Sequence, residues 1–258
     1  METDLNKLIV EGDLRAFVGK LPELSVEPPS VHLIMLAVRK RRARKLGVQV
    51  KDDFLVERRI IRPHLNWRER YISEVKNLAL LQAKGYYHVD GQAVPPAAMG
   101  ILATVCPRAV LPALTKLMKE NMDLLVHRTE DASILLARQD VRFFSSLHSS
   151  QMRGNHFVTL DVDDPSIYSR VVATVTESQL AVWMITQTSR GYHIILDLRG
   201  SEDATKFHGK DGLAGKLPKL YGSLEVQSDS QEPVPGTFYC KEAPDGLVIP
   251  HYVTIVKA

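Results

Sequence analysis

Three observations predict an α+β fold for this chain. Residues 1–122 show mostly helical spacing of their apolar side chains and hold the densest runs of positive charge. Beyond Leu124, short β-rich runs and one helical stretch follow in the order β-α-β-β, with further strand candidates behind them. No internal repeat or low-complexity tract is visible in either part. Such an order specifies an α+β sandwich, one layer of helices on an antiparallel sheet. Two units are expected: a basic, mostly helical region over 1–122 and a sheet-bearing unit over 123–258.

Segment 31–46, VHLIMLAVRKRRARKL, is apolar first and strongly basic afterwards, and is counted with the helical region. Segment 67–84 places Tyr71, Val75, Leu78 and Leu81 or Gln82 near helical spacing and closes on Gly85 as its C-cap. Segment 107–122 carries Val110, Leu111, Leu114, Leu117 and Met118 in the same pattern, and Pro112 limits where its helix can start. Residues 156–162, HFVTLDV, read as a strand, and Asp164-Pro165-Ser166 caps a helix over 166–178. The runs 180–186 (LAVWMIT) and 192–198 (YHIILDL) flank the polar link 187–191 and read as a β-hairpin. A loop rich in Gly and Lys is expected over 199–219, then strands at 223–227, 237–240 and 251–256.

Apolar residues make up 45% and charged residues 24%, ordinary for a globular protein with a sizeable core. No apolar run approaches the roughly 18 residues of a membrane span, so no membrane partner is expected. The opening METDLNKLIVEGDLRAF lacks the basic-then-apolar order of a secretory signal. Cys106 and Cys240 belong to no CxxC pair and read as reduced thiols. An intracellular, reducing compartment is expected, cytoplasm or nucleus, with the mitochondrial matrix also open. A net charge of +3 is too small to identify a nucleic-acid partner, so the position of the cations matters more than their sum.

The sharpest chemical feature is LDVDD at 160–164. Residues i and i+2 of a strand share a face, so Asp161 and Asp163 project together from the end of an apolar strand. Two adjacent carboxylates repel, and a divalent cation allows both to ionise. Asp-Asp-Pro is also ordinary turn chemistry. The second feature is TSRGYHIIL at 188–196. Arg190 offers a fork of donors for phosphate oxygens, Gly191 admits close backbone approach, and His193 occupies one face of its strand. A tight hairpin with a core histidine fits the same residues. The third is Glu225 in a short strand, followed by the rigid turn Pro235-Gly236-Thr237 and Lys241. A strand glutamate is more often exposed than a ligand, and a lysine more often solvated than phosphate-bound. If Glu225 faces away from Asp161, Asp197 and Asp229 are the acids that could replace it.

The order and spacing of the three features carry a resemblance. VTLDVD (158–163), SRGYH (189–193) and SLEV (223–226) are similar to the hhhDhD, sxH and hD/E strands of the archaeo-eukaryotic primase superfamily. PVPGTFYCKEAPDGL (233–247) resembles the segment beyond the third acid in archaeal primases, and LDVDDPS the DxDP run of the ligase-associated enzymes. The likeness covers about 100 residues, 155–250, and does not extend to 1–122. It implies a primase-like core with an RRM-like antiparallel sheet and two-metal nucleotidyl transfer. Asp161, Asp163 and Glu225 would hold Mg²⁺ or Mn²⁺; Ser189, Arg190, His193 and Lys241 would meet the nucleoside triphosphate. It also implies a nucleic-acid template, DNA or RNA, with room for a partner subunit. Gln187 and Thr188 stand where the family usually has Ser-Gly, and Pro233 where it has a basic residue. These departures favour the alternative, a catalytically degenerate primase-like subunit binding nucleic acid in a larger complex such as a ribonucleoprotein.

Arg39, Lys40, Arg41, Arg42, Arg44 and Lys45 place six cations in seven residues. They read either as a nucleic-acid contact or as a solvated helix end beside Gly47. Arg58, Arg59, Arg62, Arg68 and Arg70 form a second group. Trp67 and Tyr71 suit core packing better than base stacking, and His32, His64, His88, His127 and His148 show no metal-ligand spacing.

Overall fold

The computed structural model describes residues 8–85, 87–89, 91–127, 132–150, 157–209, 212–228, 231–242 and 248–256, without the side chains of 201, 239–242 and 248–250. Its helices are α1 (Glu11–Lys20), α2 (Lys40–Lys45), α3 (Trp67–Lys84), α4 (Val110–His127), α5 (Ala132–Ala137), α6 (Gln139–His148), α7 (Tyr168–Glu177), α8 (Ser201–His208) and α9 (Leu213–Leu220). Its strands are β1 (Ser30–Val38), β2 (Phe54–Ile61), β3 (His88–Val89), β4 (Gln92–Ala93), β5 (Met99–Thr104), β6 (Arg108–Ala109), β7 (Phe157–Val162), β8 (Ala181–Gln187), β9 (Tyr192–Asp197), β10 (Leu224–Ser228), β11 (Gln231–Pro233), β12 (Phe238–Glu242), β13 (Val248–Tyr252) and β14 (Thr254–Ile255). The class is α+β, as predicted. Among the described residues no helix is long and apolar enough to cross a membrane.

The N-terminal region is not mostly helical. It is built on an antiparallel sheet ordered β11-β5-β1-β2, with β6 also pairing β1. The apolar run at 30–38 is β1, buried at every position, and the helix after it spans only Lys40–Lys45. The reason is burial on both faces. Ile34, Leu36 and Val38 pack with α1 and α3, while Leu33, Met35 and Ala37 pack with α4 and α6. A strand covered on both sides loses its polar alternation and reads in sequence like a buried helix. The anticipated α3 is present, and it ends at Gly85 in the left-handed conformation. Trp67 and Tyr71 are core residues, the indole nitrogen of Trp67 donating to Glu23 Oε2 at 3.0 Å. On α4, Ala113 and Leu117 face the sheet while Leu111, Leu114 and Met118 are exposed. The helix thus seats its narrower, smaller-residue side.

The second sheet is ordered β10-β7-β9-β8-β14, antiparallel throughout. Its first four strands and their helices run β7-α7-β8-β9-α8-α9-β10, a β-α-β-β-α-β unit with the first and third strands central. Residues 199–219 are not a loop. Phe207 on α8 and Leu213 and Leu217 on α9 are buried against β7, β9 and β10, supplying the second helical layer. Val158, Leu160 and Val162 of β7 join that cluster, which sends the odd-numbered Thr159 and Asp161 to the opposite face. There Phe157, Met184 and Ile195 enter the same core as α1, α3 and β1. The second sheet therefore turns the face opposite α7, α8 and α9 to the N-terminal part, where α1 packs on it, and α4 runs across residue 122.

His32 on β1 is fully buried, with Nε2 3.0 Å from the Pro22 carbonyl and its ring 5.3 Å from that of Trp67. Desolvation holds its pKa down at about 4. The folded state thus binds the neutral ring, whereas the unfolded chain protonates near the ordinary 6.5. Stability from this site is complete above about pH 6.5 and declines as pH falls toward 4. Urea midpoints measured across that interval should fall for the native chain and flatten in His32→Gln; parallel curves would assign the decline to other groups.

Candidate active site

Three adjacent strands carry the candidate residues to one row. Asp161 pairs in register with Glu225 on β10 and with His193 on β9. All three are on the face opposite α7, α8 and α9. Gln227, two residues beyond Glu225, reaches both acids, its amide nitrogen 3.5 Å from Asp161 Oδ2 and 3.4 Å from Glu225 Oε2. Glu225 thus stays with Asp161, and neither Asp197 nor Asp229 is needed in its place. Asp197 is clasped by the Arg199 guanidinium at the far end of β9. Asp229 lies outside the described residues.

Asp163 follows the end of β7 and meets the hairpin tip, its Oδ2 2.8 Å from an Arg190 guanidinium nitrogen. The tip is closed by Thr188, whose N–H donates to the Gly191 carbonyl at 2.9 Å and whose hydroxyl oxygen accepts from the Gly191 N–H at 3.3 Å. Gly191 is required sterically. A Cβ there would lie 1.9 Å from the Val162 carbonyl oxygen. The hairpin backbone therefore rests directly on the strand that carries the acids.

Two inputs come from the N-terminal part. Arg42 of α2 reaches Ser189 Oγ at 3.3 Å, bringing one cation of the basic cluster to the hairpin tip. The cluster is divided, as a helix must divide it: Arg41, Arg44 and Lys45 are exposed, and Arg39 and Lys40 pair with Asp53 and Asp52, each at 3.2 Å. Arg39 also borders a separate groove of about 500 Å³ between α6 and the first sheet, with Arg58, Phe144 and His148. The second input is Glu232 on β11, which sequence reasoning missed. Its carboxylate is 1% exposed and accepts from Thr159 Oγ1 at 2.5 Å, while its other oxygen is 2.7 Å from His193 Nδ1. The other ring nitrogen of His193 is 3.5 Å from Asp161 Oδ1. No local signal marks Glu232, because its partners belong to the other sheet. Lys241 is on β12, and its side chain lies outside the described residues.

The electrostatics follow from this crowding. Burial raises the pKa of Asp161 above the usual carboxylate value, and Asp163, Glu225 and Glu232 push the same way against His193. For His193, burial opposes the charged ring, but the Glu232 hydrogen bond and the charges of Glu232, Asp161 and Asp163 prevail and raise its pKa. Asp161 is thus a partly buried carboxylate with other acids beside it, a condition a divalent cation relieves. The donors are carboxylate oxygens, suited to Mg²⁺ or Mn²⁺ rather than to a soft metal. Among the described residues no group of three or more His, Cys, Asp or Glu side chains is arranged to hold a metal ion, so the expected convergence of Asp161, Asp163 and Glu225 on one cation is not formed here.

Comparison of the chain with protein-family models, with curated proteins and with solved structures returned no match.

Proposed function

We propose that the protein is a metal-dependent nucleotidyl transferase of primase or primase-polymerase type, with its site on the face of the second sheet opposite α7, α8 and α9. The observation that carries the reading is the in-register row Glu225–Asp161–His193, with Asp163 and Arg190 at its open end. The β-α-β-β-α-β unit beneath it has the strand order expected of an RRM-like primase core. Asp161, Asp163 and Glu225 would hold Mg²⁺ or Mn²⁺, which when bound lowers the pKa of an attacking hydroxyl and neutralises the departing pyrophosphate. Arg190, Ser189 and His193 would orient the triphosphate from the hairpin side, and Arg42 adds a further cation there. Template-directed incorporation of labelled nucleotides onto a primed strand, dependent on Mg²⁺ or Mn²⁺ and lost in chelator, is the test. No incorporation with either cation on primed DNA or RNA would exclude the activity.

One observation favours a second reading. Arg190 is bonded to Asp163, so the two groups needed for phosphate and cation satisfy each other. A catalytically degenerate subunit that binds nucleic acid within a larger complex, such as a ribonucleoprotein, would retain this pairing. Both readings use the exposed cations of α2. An Arg41→Gln, Arg44→Gln, Lys45→Gln variant should bind single-stranded DNA or RNA more weakly and reduce the salt slope of log affinity by roughly one unit for each phosphate it no longer neutralises. Identical slopes for the variant and native protein would make α2 a solvated helix end. Binding with RNA preference and no incorporation would select the second reading.

A further inference from the structure

We infer that Glu232 is a positioning residue for His193 and, resting on the nucleotidyl-transfer reading, sets how the site grips a triphosphate. A carboxylate as buried as Glu232 is strongly disfavoured unless it is hydrogen-bonded on both oxygens. Glu232 engages two strands of the other sheet, Thr159 on β7 and His193 on β9. Thr159 is two residues from Asp161 and on the same face, so one carboxylate ties the acid-bearing strand to the histidine-bearing strand.

The geometry gives the imidazole a fixed axis. Glu232 takes Nδ1, and Nε2 is left directed at Asp161. The ring torsion of a histidine is broad and roughly two-fold, so burial alone does not choose which nitrogen faces the cleft. A carboxylate partner on Nδ1 does choose, as the outer partners of ligating histidines do elsewhere. The neighbouring residue shows why the backbone holds this direction. Gln231 turns to the opposite face of β11, where its amide nitrogen is 2.5 Å from His148 Nε2 on α6. Both side chains of the 231–232 pair are engaged, and the strand is paired to β5 between them. The carboxylate is thereby anchored from the first sheet and acts on the second.

The test uses the full chain labelled with ¹⁵N-histidine, together with binding of a non-hydrolysable deoxynucleoside triphosphate in Mg²⁺. The native protein should show a hydrogen-bonded, slowly exchanging His193 Nδ1–H. Glu232→Ala should lose that signal and bind the triphosphate roughly tenfold or more weakly. Glu232→Gln, which keeps an acceptor at Nδ1, should retain the signal and bind within about threefold of the native protein. Leu78→Ala destabilises the shared core from α3 without touching the site and should leave affinity unchanged, which separates positioning from general loosening. Absence of the Nδ1–H signal in the native protein overturns the inference, and so does Glu232→Ala with native affinity. Failure of the native protein to bind the triphosphate would instead remove the functional reading, with the Nδ1 signal in the two Glu232 variants still deciding whether the glutamate orients the ring.

Discussion

Asp161→Asn is expected to abolish nucleotide incorporation while leaving the protein folded and, at neutral pH, slightly more stable. Both effects come from where the carboxylate sits. Asp161 is the central member of the row, between Glu225 and His193, and carries a carboxylate that burial and three neighbouring acids disfavour in its charged form. Because its folded pKa is raised, the native state is penalised at every pH above that value, and an uncharged isostere removes the penalty. On the proposed reading the same substitution removes a cation ligand. A loss of several kcal/mol of transition-state stabilisation corresponds to a fall on the order of 10³-fold or more. A gain in stability alongside a loss of activity is the usual signature of a functional site, where charge is kept against the interest of the fold. Single-turnover incorporation and urea denaturation at pH 7 on the same preparation provide both numbers. Incorporation that survives the substitution would sink the metal-dependent mechanism, and a large loss of stability would make Asp161 a structural residue.

Gly191→Ala should be the most damaging single-methyl change in the second sheet, and its effect does not depend on what the protein does. The added carbon would stand 1.9 Å from the Val162 carbonyl oxygen, 2.9 Å from the Val162 carbonyl carbon and 3.1 Å from the Asp163 Cα. All three atoms are backbone, so no side chain can rotate away. Either the hairpin lifts or the end of β7 moves. Both separate Arg190 from Asp163 and disturb Asp161. A destabilisation of about 2–4 kcal/mol is expected, at or above the upper end of ordinary overpacking. Gly215→Ala is the control: nothing lies within 4 Å of its new Cβ, the site is inside α9, and a stabilisation of roughly 0.5–1 kcal/mol should follow. Equal unfolding midpoints for Gly191→Ala and the native chain would refute the close approach.

The legible part of the site is the part written locally. HFVTLDV alternates faces with a period of two, which assigns Asp161 beside Asp163, and the flanking runs 180–186 and 192–198 announce the hairpin that carries Arg190 and His193. Glu225 is legible by the same rule once its strand is found. What escapes is specified at long range. The apolar run at 30–38 reads as part of a helical region because a strand covered on both faces has no alternation to display. The stretch 199–219 looks like a loop because glycines break its helical pattern, yet Phe207, Leu213 and Leu217 fold it into α8 and α9 once a sheet exists to cover. Glu232 is invisible for the strongest version of the same reason: its backbone belongs to one sheet and its side chain serves the other.

The placement of β11 also bears on how the chain is made. A ribosome delivers β1, β2 and β5 early, but the strand that closes the β5 edge, residues 231–233, arrives after the whole second sheet except β14. For that interval β5 offers unpaired N–H and carbonyl groups along an apolar strand, the kind of edge that recruits other chains. Long-range pairing of this sort is slow, and here it is completed by a segment bearing a buried carboxylate. The strand that seals the edge thus carries a carboxylate whose partners Thr159 and His193 lie on the sheet made before it.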